Sequence, residues 1–431
     1  MTSTPGEALW PAPVAAGPVR ATVSVPGSKS VTNRALVLSA LAASPSRLAR
    51  PLRSRDTELM AAGLCAMGTD VVAAGDAWVV TPAALRGPAT VDVGLAGTVM
   101  RFLPALATLA DGAVTFDGDP RARERPLAAL LGALRDLGAR VDDGGRAALP
   151  LTVTGTGGLR GGEVRVDASA SSQIVSALLL TAPRWEAGVR VVHIGDRPVP
   201  NAPHLAMTVS MLRDRQVRVD DAEPGGWQVQ PGPVAGRDEV IEPDLSSAAP
   251  FLAAAVVTGG EVRVPNWPER SSQPGADLPR LLEAFGASSH RENGSLVVRG
   301  GGRLTGADLD LRDAGELTPV LTAVAVLAET PSRFTGIGYL RGHETDRLAA
   351  LAHELGGLGA RVNEEPDGLR IEPRPMVGGL FRTYADHRLA MAAAVLALVV
   401  PGVLVQDVET TAKTFPGFAD AWLSMLSGGA P

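Results

Sequence analysis

The sequence predicts an α/β (α+β) protein of two lobes, each made of three β-α-β-α-β-β units. Two observations carry that expectation: one unit recurs six times at nearly constant spacing, and its main helix is apolar on nearly every side. A repeated supersecondary unit buries its apolar face against its copies, so the period bears on the whole fold. The copies are VSVPGSKSVTNRALVLSALA, VDVGLAGTVMRFLPALATLA, VRVDASASSQIVSALLLTA, VIEPDLSSAAPFLAAAVVTG, LDLRDAGELTPVLTAVAVLA and FRTYADHRLAMAAAVLALVV. Each reads as a short alternating strand, a loop of small or polar residues, and a helix rich in Ala, Val and Leu. With Ser28, Gly97, Ser171, Ser246, Glu316 and His387 as equivalent loop positions, the intervals are 69, 74, 75, 70 and 71 residues. On period alone a solenoid is also possible.

A second element recurs later in the unit, where a helix ends near Gly and a strand pair follows: LRDLGARVD from Leu134, LLEAFGASS from Leu281 and LGGLGARVN from Leu355. The last unit, ending in FADAWLSML, runs out of chain before its closing strands. Those strands are expected from the N-terminal segment around Trp10 to Val19. One lobe is then expected at residues 21–236 and the other at 1–20 with 237–431, the chain crossing near Arg20 and within PGPVAGRDEV. Helices that are hydrophobic all round belong inside each lobe, with sheets and amphipathic helices outside. That arrangement is an inside-out α/β barrel with pseudo-threefold symmetry.

Composition narrows the function. A chain of 431 residues, 45% hydrophobic and 20% charged, can bury large cores. Its net charge of −6 gives no electrostatic reason for nucleic acid or an anionic membrane as partner. The single cysteine, Cys65, cannot close an intramolecular disulfide, and the six histidines show no metal-ligand spacing. A reducing, cytoplasmic setting fits, with Cys65 expected as a buried structural thiol in an apolar helix. The opening MTSTPGEALWPAP has no basic residue before Arg20 and no apolar core, unlike a secretory or transit sequence. The strongest apolar run, Leu389 to Val400, stops at Pro401, short of the ~18 residues a transmembrane helix needs.

The helix starts point to anions. A helix N-terminus offers unpaired N–H groups and partial positive charge, so acidic side chains are the usual complement there. Lys29, Arg34, Arg101 and Arg388 instead lie at or near such starts. Four cations in equivalent places imply a ligand with at least two anionic groups, held between the lobes. The PGSKS loop is not a nucleotide P-loop: Ser28, not Gly, precedes Lys29, and the earlier glycine is missing. What remains is a phosphate or carboxylate loop of Ser hydroxyls, backbone donors and one Lys.

PGSKSVTNRAL from Pro26, GLAGTVMR from Gly94, RARERP from Arg121, SSQ from Ser171, ETDRL from Glu344, DHRLAM from Asp386 and TAKTFP from Thr411 resemble EPSP synthases, in order and over nearly the whole chain. The resemblance implies two lobes of three similar units. It also implies transfer of the carboxyvinyl group of phosphoenolpyruvate to the 5-hydroxyl of shikimate 3-phosphate, with no metal or organic cofactor. By the same resemblance Lys29, Ser30, Arg34, Ser171, Ser172, Gln173, Asn201, Glu316 and His343 contact shikimate 3-phosphate. Lys29, Gly97, Arg125, Gln173, Arg347, Arg388 and Lys413 surround phosphoenolpyruvate. Glu316, Lys29 and His387 are the implied catalytic groups, because the reaction needs proton transfer and charge stabilisation, not a nucleophile. The implied partners are these two small molecules only, with no nucleic acid and no membrane, for a monomer. His204 is a weaker match on the shikimate side.

Several positions depart from the commoner family pattern: Glu316 for Asp, His343 for Lys, Asn201 for Ser, and Leu95 and Phe102 for Asn and Pro. The loop GDPRARERP lacks the cysteine typical of the sibling enzyme that acts on UDP-N-acetylglucosamine.

Overall fold

The computed structural model describes residues 8–428. Its contacts divide the chain into two units, Gly27–Ile241 and Met1–Pro26 with Glu242–Pro431. Each has its own hydrophobic core. The chain passes between them at Pro26–Gly27 and Ile241–Glu242, a few residues later than the sequence boundaries proposed above.

In Gly27–Ile241 the helices are α1 (Lys29–Ala40), α2 (Arg55–Ala66), α3 (Val99–Leu106), α4 (Ala128–Asp136), α5 (Ser172–Thr181) and α6 (Ala202–Asp214). The repeat helices α1, α3 and α5 are buried on nearly every side, as their Leu, Val and Ala content requires. The others bury one stripe. On α2 that stripe is Met60, Ala61 and Leu64, continued by Met67, at the spacing of one helical turn. Cys65 falls one position off it and is exposed, which corrects the expectation of a buried thiol.

Three four-stranded sheets surround these helices, and all share one plan: a parallel pair, then two antiparallel strands. In one, Ala89–Asp92 runs parallel to Asp111–Asp117, which pairs antiparallel with Leu151–Thr156 and through it with Arg140–Asp142. Val114, Phe116 and Val153 point inward from the pleat and are fully buried.

The second unit repeats the plan in two four-stranded sheets and has a third of three strands among the described residues, with α7 (Ala249–Thr258), α8 (Leu278–Glu283), α9 (Thr318–Ala325), α10 (Arg347–Gly357), α11 (His387–Ala397) and α12 (Phe418–Leu426). Every residue of α9 and α11 is buried, and α7, α9 and α11 pack on one another. Gly259, at φ +68°, ends α7 in the left-handed cap that glycine adopts without strain. Phe251, Phe415, Phe418 and Trp422 form an aromatic cluster with Phe251 5.3 Å from both Phe415 and Trp422. Full burial of one such ring is worth about 2–3 kcal/mol.

Strand pairing at the two crossings departs from the simple repeat. Arg20–Thr22, which precedes α1, runs parallel to Glu261–Val264, while Glu239–Val240, which precedes α7, runs parallel to Ser46–Ala49. The other four copies keep their leading strand. Local alternation marks a strand but not the sheet edge it joins. In the sixth sheet Leu9–Pro11 pairs antiparallel with Val403–Gln406, Leu9 opposite Gln406. Among the described residues no helix is long and apolar enough to cross a membrane.

The exposed position of Cys65 predicts that a disulfide-exchange dye labels the native protein at close to its rate with the unfolded chain. Cys65→Ser should change unfolding stability by no more than about 0.5 kcal/mol, as surface substitutions do. Slow labelling of the native protein would place the thiol inside.

Candidate functional site

In Gly27–Ile241 the polar residues gather at the N-terminal ends of the repeat helices. Ser28 caps α1, its hydroxyl accepting from Val31 N, and Ser171 caps α5, accepting from Gln173 N at 3.3 Å. Side chains join the helix ends: Asn33 Nδ2 donates to Thr98 Oγ1 at 2.7 Å, and Arg101 Nη1 donates to Gln173 Oε1 at 3.2 Å. Lys29 Nζ lies 3.4 Å from the buried carboxylate of Asp56. Ser30 Oγ and His204 Nε2 are also 3.4 Å apart, so the weakly matched histidine does reach this cluster.

Arg34 is 1% exposed. It donates to Thr208 Oγ1, Ser176 Oγ and the carbonyls of Ser30 and His204, and lies 5.3 Å over the Phe102 ring. These contacts make it a pin between α1, α5 and α6. Gly97 stands where three polar groups converge. A Cβ there would lie 3.2 Å from Gln173 Oε1 and 3.3 Å from Nη1 of both Arg101 and Arg125. Of the RARERP arginines, Arg125 is turned inward, its Nε buried without a hydrogen bond. Arg121 and Arg123 pair at the surface with Glu124 and Asp117. Ser172 is buried at the start of α5, and Asn201, at φ +54°, is buried at the start of α6.

In the other unit a charged cluster surrounds the start of α11. Asp386 caps that helix, accepting from Arg388 N at 2.9 Å, and its carboxylate also takes Nε and Nη2 of Arg347 at 2.7 and 3.2 Å. Glu344 joins two cations, accepting from Arg347 Nη2 at 3.1 Å and Lys413 Nζ at 3.0 Å. Burial alone would weaken the Arg347 charge, but Asp386 and Glu344 hold its pKa above the ordinary arginine value. His343 Nδ1 lies 3.4 Å from Arg347 Nη1, with the imidazole beside the Tyr339 ring. His387 is buried next to Asp386.

Arg388 donates Nη2 to Glu316 Oε2 at 3.3 Å, with Asp244 Oδ1 4.0 Å away. Its Nε and Nη1 are buried without hydrogen bonds. An unmet buried donor costs about 1–3 kcal/mol, and an anionic acceptor would offset that. Arg125 in the one unit and Arg388 in the other can therefore each bind an anionic group, and beside Arg388 the carboxylate of Glu316 is available for proton transfer.

The structure thus gathers Lys29, Ser30, Arg34, Gly97, Arg125, Ser171 and Gln173 in one unit, and Glu316, His343, Arg347, His387, Arg388 and Lys413 in the other. The sequence reading passed over the carboxylates that hold the cations: Asp56, Asp244, Glu344 and Asp386. Glu344 and Asp386 sit inside two of the quoted motifs. Asp56, in the first turn of α2, looks like an ordinary complement to a helix dipole.

The family model for EPSP synthase (3-phosphoshikimate 1-carboxyvinyltransferase) matches residues 14–422. A curated 3-phosphoshikimate 1-carboxyvinyltransferase from Kocuria rhizophila is 51% identical over 429 residues, covering 97% of this chain and 96% of that protein. Among solved structures, an EPSP synthase from Acinetobacter baumannii matches with a TM-score of 0.79 at 24% identity, over 97% of each chain. The enolpyruvyl transferase NikO from Streptomyces tendae matches with a TM-score of 0.77 at 18% identity, over 98% of each chain. At those identities both structures speak to the fold.

Asp386→Asn tests the buried pair. Asn still caps a helix, so a loss of about 3 kcal/mol, the scale for breaking a buried ion pair, would report on the contact with Arg347 alone. Thermal melts should show a clear drop. An unchanged melting temperature would mean that Arg347 is held by Glu344 and its packing.

Proposed function

The chain belongs to the EPSP synthase (3-phosphoshikimate 1-carboxyvinyltransferase) family, and on that premise we propose that it transfers the carboxyvinyl group of phosphoenolpyruvate to the 5-hydroxyl of shikimate 3-phosphate. The observation that carries the assignment of roles is the Arg388–Glu316 contact, which sets a carboxylate beside a guanidinium with two unmet donors. That pairing suits a reaction in which a hydroxyl gives up its proton next to a bound anion.

In this reading Ser30, Ser171, Ser172 and Asn201 supply hydroxyl and amide donors to shikimate 3-phosphate, with Arg34 fixing the Ser30 carbonyl behind them. His343 contacts the same substrate. Gly97 leaves room for phosphoenolpyruvate beside Gln173, while Arg125, Arg347, Arg388 and Lys413 balance its carboxylate and phosphate. Lys29 serves both substrates.

The chemistry follows in two stages. Glu316 takes the 5-hydroxyl proton as that oxygen bonds to the substituted carbon of phosphoenolpyruvate, and the methylene carbon gains a proton from Lys29. The resulting tetrahedral intermediate then loses a methyl proton and inorganic phosphate, which restores the double bond. In this reading His387, which lies beside Asp386, stabilises charge as phosphate leaves. Proposed with this activity are a cytoplasmic location, a monomer, and a place in chorismate and aromatic amino-acid biosynthesis.

Steady-state phosphate release with shikimate 3-phosphate and phosphoenolpyruvate tests the activity, and Glu316→Gln tests the base. Gln keeps shape and hydrogen bonding but takes no proton, so kcat should fall on the order of 10²–10⁴-fold with substrate affinities held. Glu316→Asp should recover part of the loss, since the charge returns one methylene short. Near-wild-type turnover in Glu316→Gln would remove Glu316 as the base.

A further inference from the structure

The loop that leads into α11 is built from unfavourable parts. Asp386 N donates to Thr383 O at 2.8 Å, closing a four-residue turn whose central residues, Tyr384 and Ala385, have φ of +53° and +54°. Positive φ at both central positions marks a type I′ turn, which Gly, Asn and Asp usually fill because a Cβ there crowds the following carbonyl. Tyr and Ala both carry a Cβ. Tyr384 is 41% exposed, so core packing does not hold it in place either.

Glu354 provides the hold. It sits on α10 at 2% exposure, accepting from the Tyr384 hydroxyl at 2.5 Å through Oε1 and from Arg382 N at 2.9 Å through Oε2. The same helix begins with Arg347, which grips Asp386. One helix therefore clamps the turn at two points: Glu354 takes Arg382 ahead of it and Tyr384 within it, and Arg347 takes Asp386 at its end. Burial and the Glu354 carboxylate push the Tyr384 hydroxyl up to about 12, so it remains a donor through neutral pH and well above. The turn ends at the cap of α11, and Arg388 follows two residues later.

We infer that Tyr384 and Glu354 are positioning residues that fix the direction of Arg388 by holding the type I′ turn ahead of α11, and so set the affinity for phosphoenolpyruvate. Neither residue is among those assigned above to the substrates. The inference rests on the proposed role of Arg388 in holding that anion. If the turn relaxes, the start of α11 shifts, and small misplacements of a binding group are costly in an anion site.

Tyr384→Phe removes one hydroxyl and leaves the ring. It should raise the KM for phosphoenolpyruvate about tenfold, with kcat and the KM for shikimate 3-phosphate within about twofold, the pattern for lost ground-state binding. Glu354→Ala should do the same or more, and Glu354→Gln, which keeps an acceptor for Tyr384, should recover part of the affinity. If Glu354→Ala does not fold, Tyr384→Phe decides. A lowered melting temperature with an unchanged KM in Tyr384→Phe would reduce the pair to scaffolding and overturn the inference alone. Absence of phosphate release by the wild type, or an unchanged KM for phosphoenolpyruvate in Arg388→Lys, would overturn the inference together with the reading it rests on.

Discussion

A helix that is apolar all round is stable only where other elements cover it on every side, and that constraint organises both units. In each, three such helices pack together and the sheets cover what the helices do not cover for one another. With their sides buried, the helices leave backbone groups without intrahelical partners only at their ends. Backbone N–H groups there need partners, so the loops before α1, α5 and α11 carry Ser28, Ser171 and Asp386 as caps. The same demand for burial that sets the fold also concentrates hydrogen-bond donors at a few loops.

Those loops are crowded with charge of both signs. Arg347, Arg388 and Lys413 would repel one another without Asp386, Glu344 and Glu316. Lys29 has Asp56 in the same way. Each carboxylate holds its cation in one geometry, which reduces the side-chain entropy lost when an anion arrives. Where the cations are held by several carboxylates, as Arg347 is, the charge is fixed in place; where donors are left over, as on Arg388, it is available for a ligand.

Much of this was legible in the sequence, for identifiable reasons. The repeat helices and their starts could be read because Ala, Val and Leu run unbroken after a small or polar loop, and α3, α5, α9 and α11 begin within two residues of the loop positions chosen. Cations at helix starts stood out because they oppose the dipole. The partner carboxylates did not stand out, since Asp or Glu near a helix start is what any helix would carry. The exchange of leading strands was hidden because the strands that form beside VSV and VIE, Arg20–Thr22 and Glu239–Val240, are only a few residues long, and alternation does not name a neighbour. Cys65 was misjudged because an Ala- and Leu-rich helix can still turn one face to water.

The exchanged strands also bear on how the chain is made. Val19 N donates to Thr258 Oγ1 across a separation of 239 residues, and Leu9–Pro11 finds its neighbour only at Val403–Gln406. During synthesis, therefore, Gly27–Ile241 can complete its sheets while the first strands of the chain still have nothing to pair with. Arg20–Thr22 must stay open, with unpaired edge groups, until Glu261–Val264 has been made, and Leu9–Pro11 must wait longer still, until Val403–Gln406 follows. The unit that closes around them is the later of the two to become a finished body, although it contains Leu9–Pro11 and Arg20–Thr22, made before any strand of the other unit.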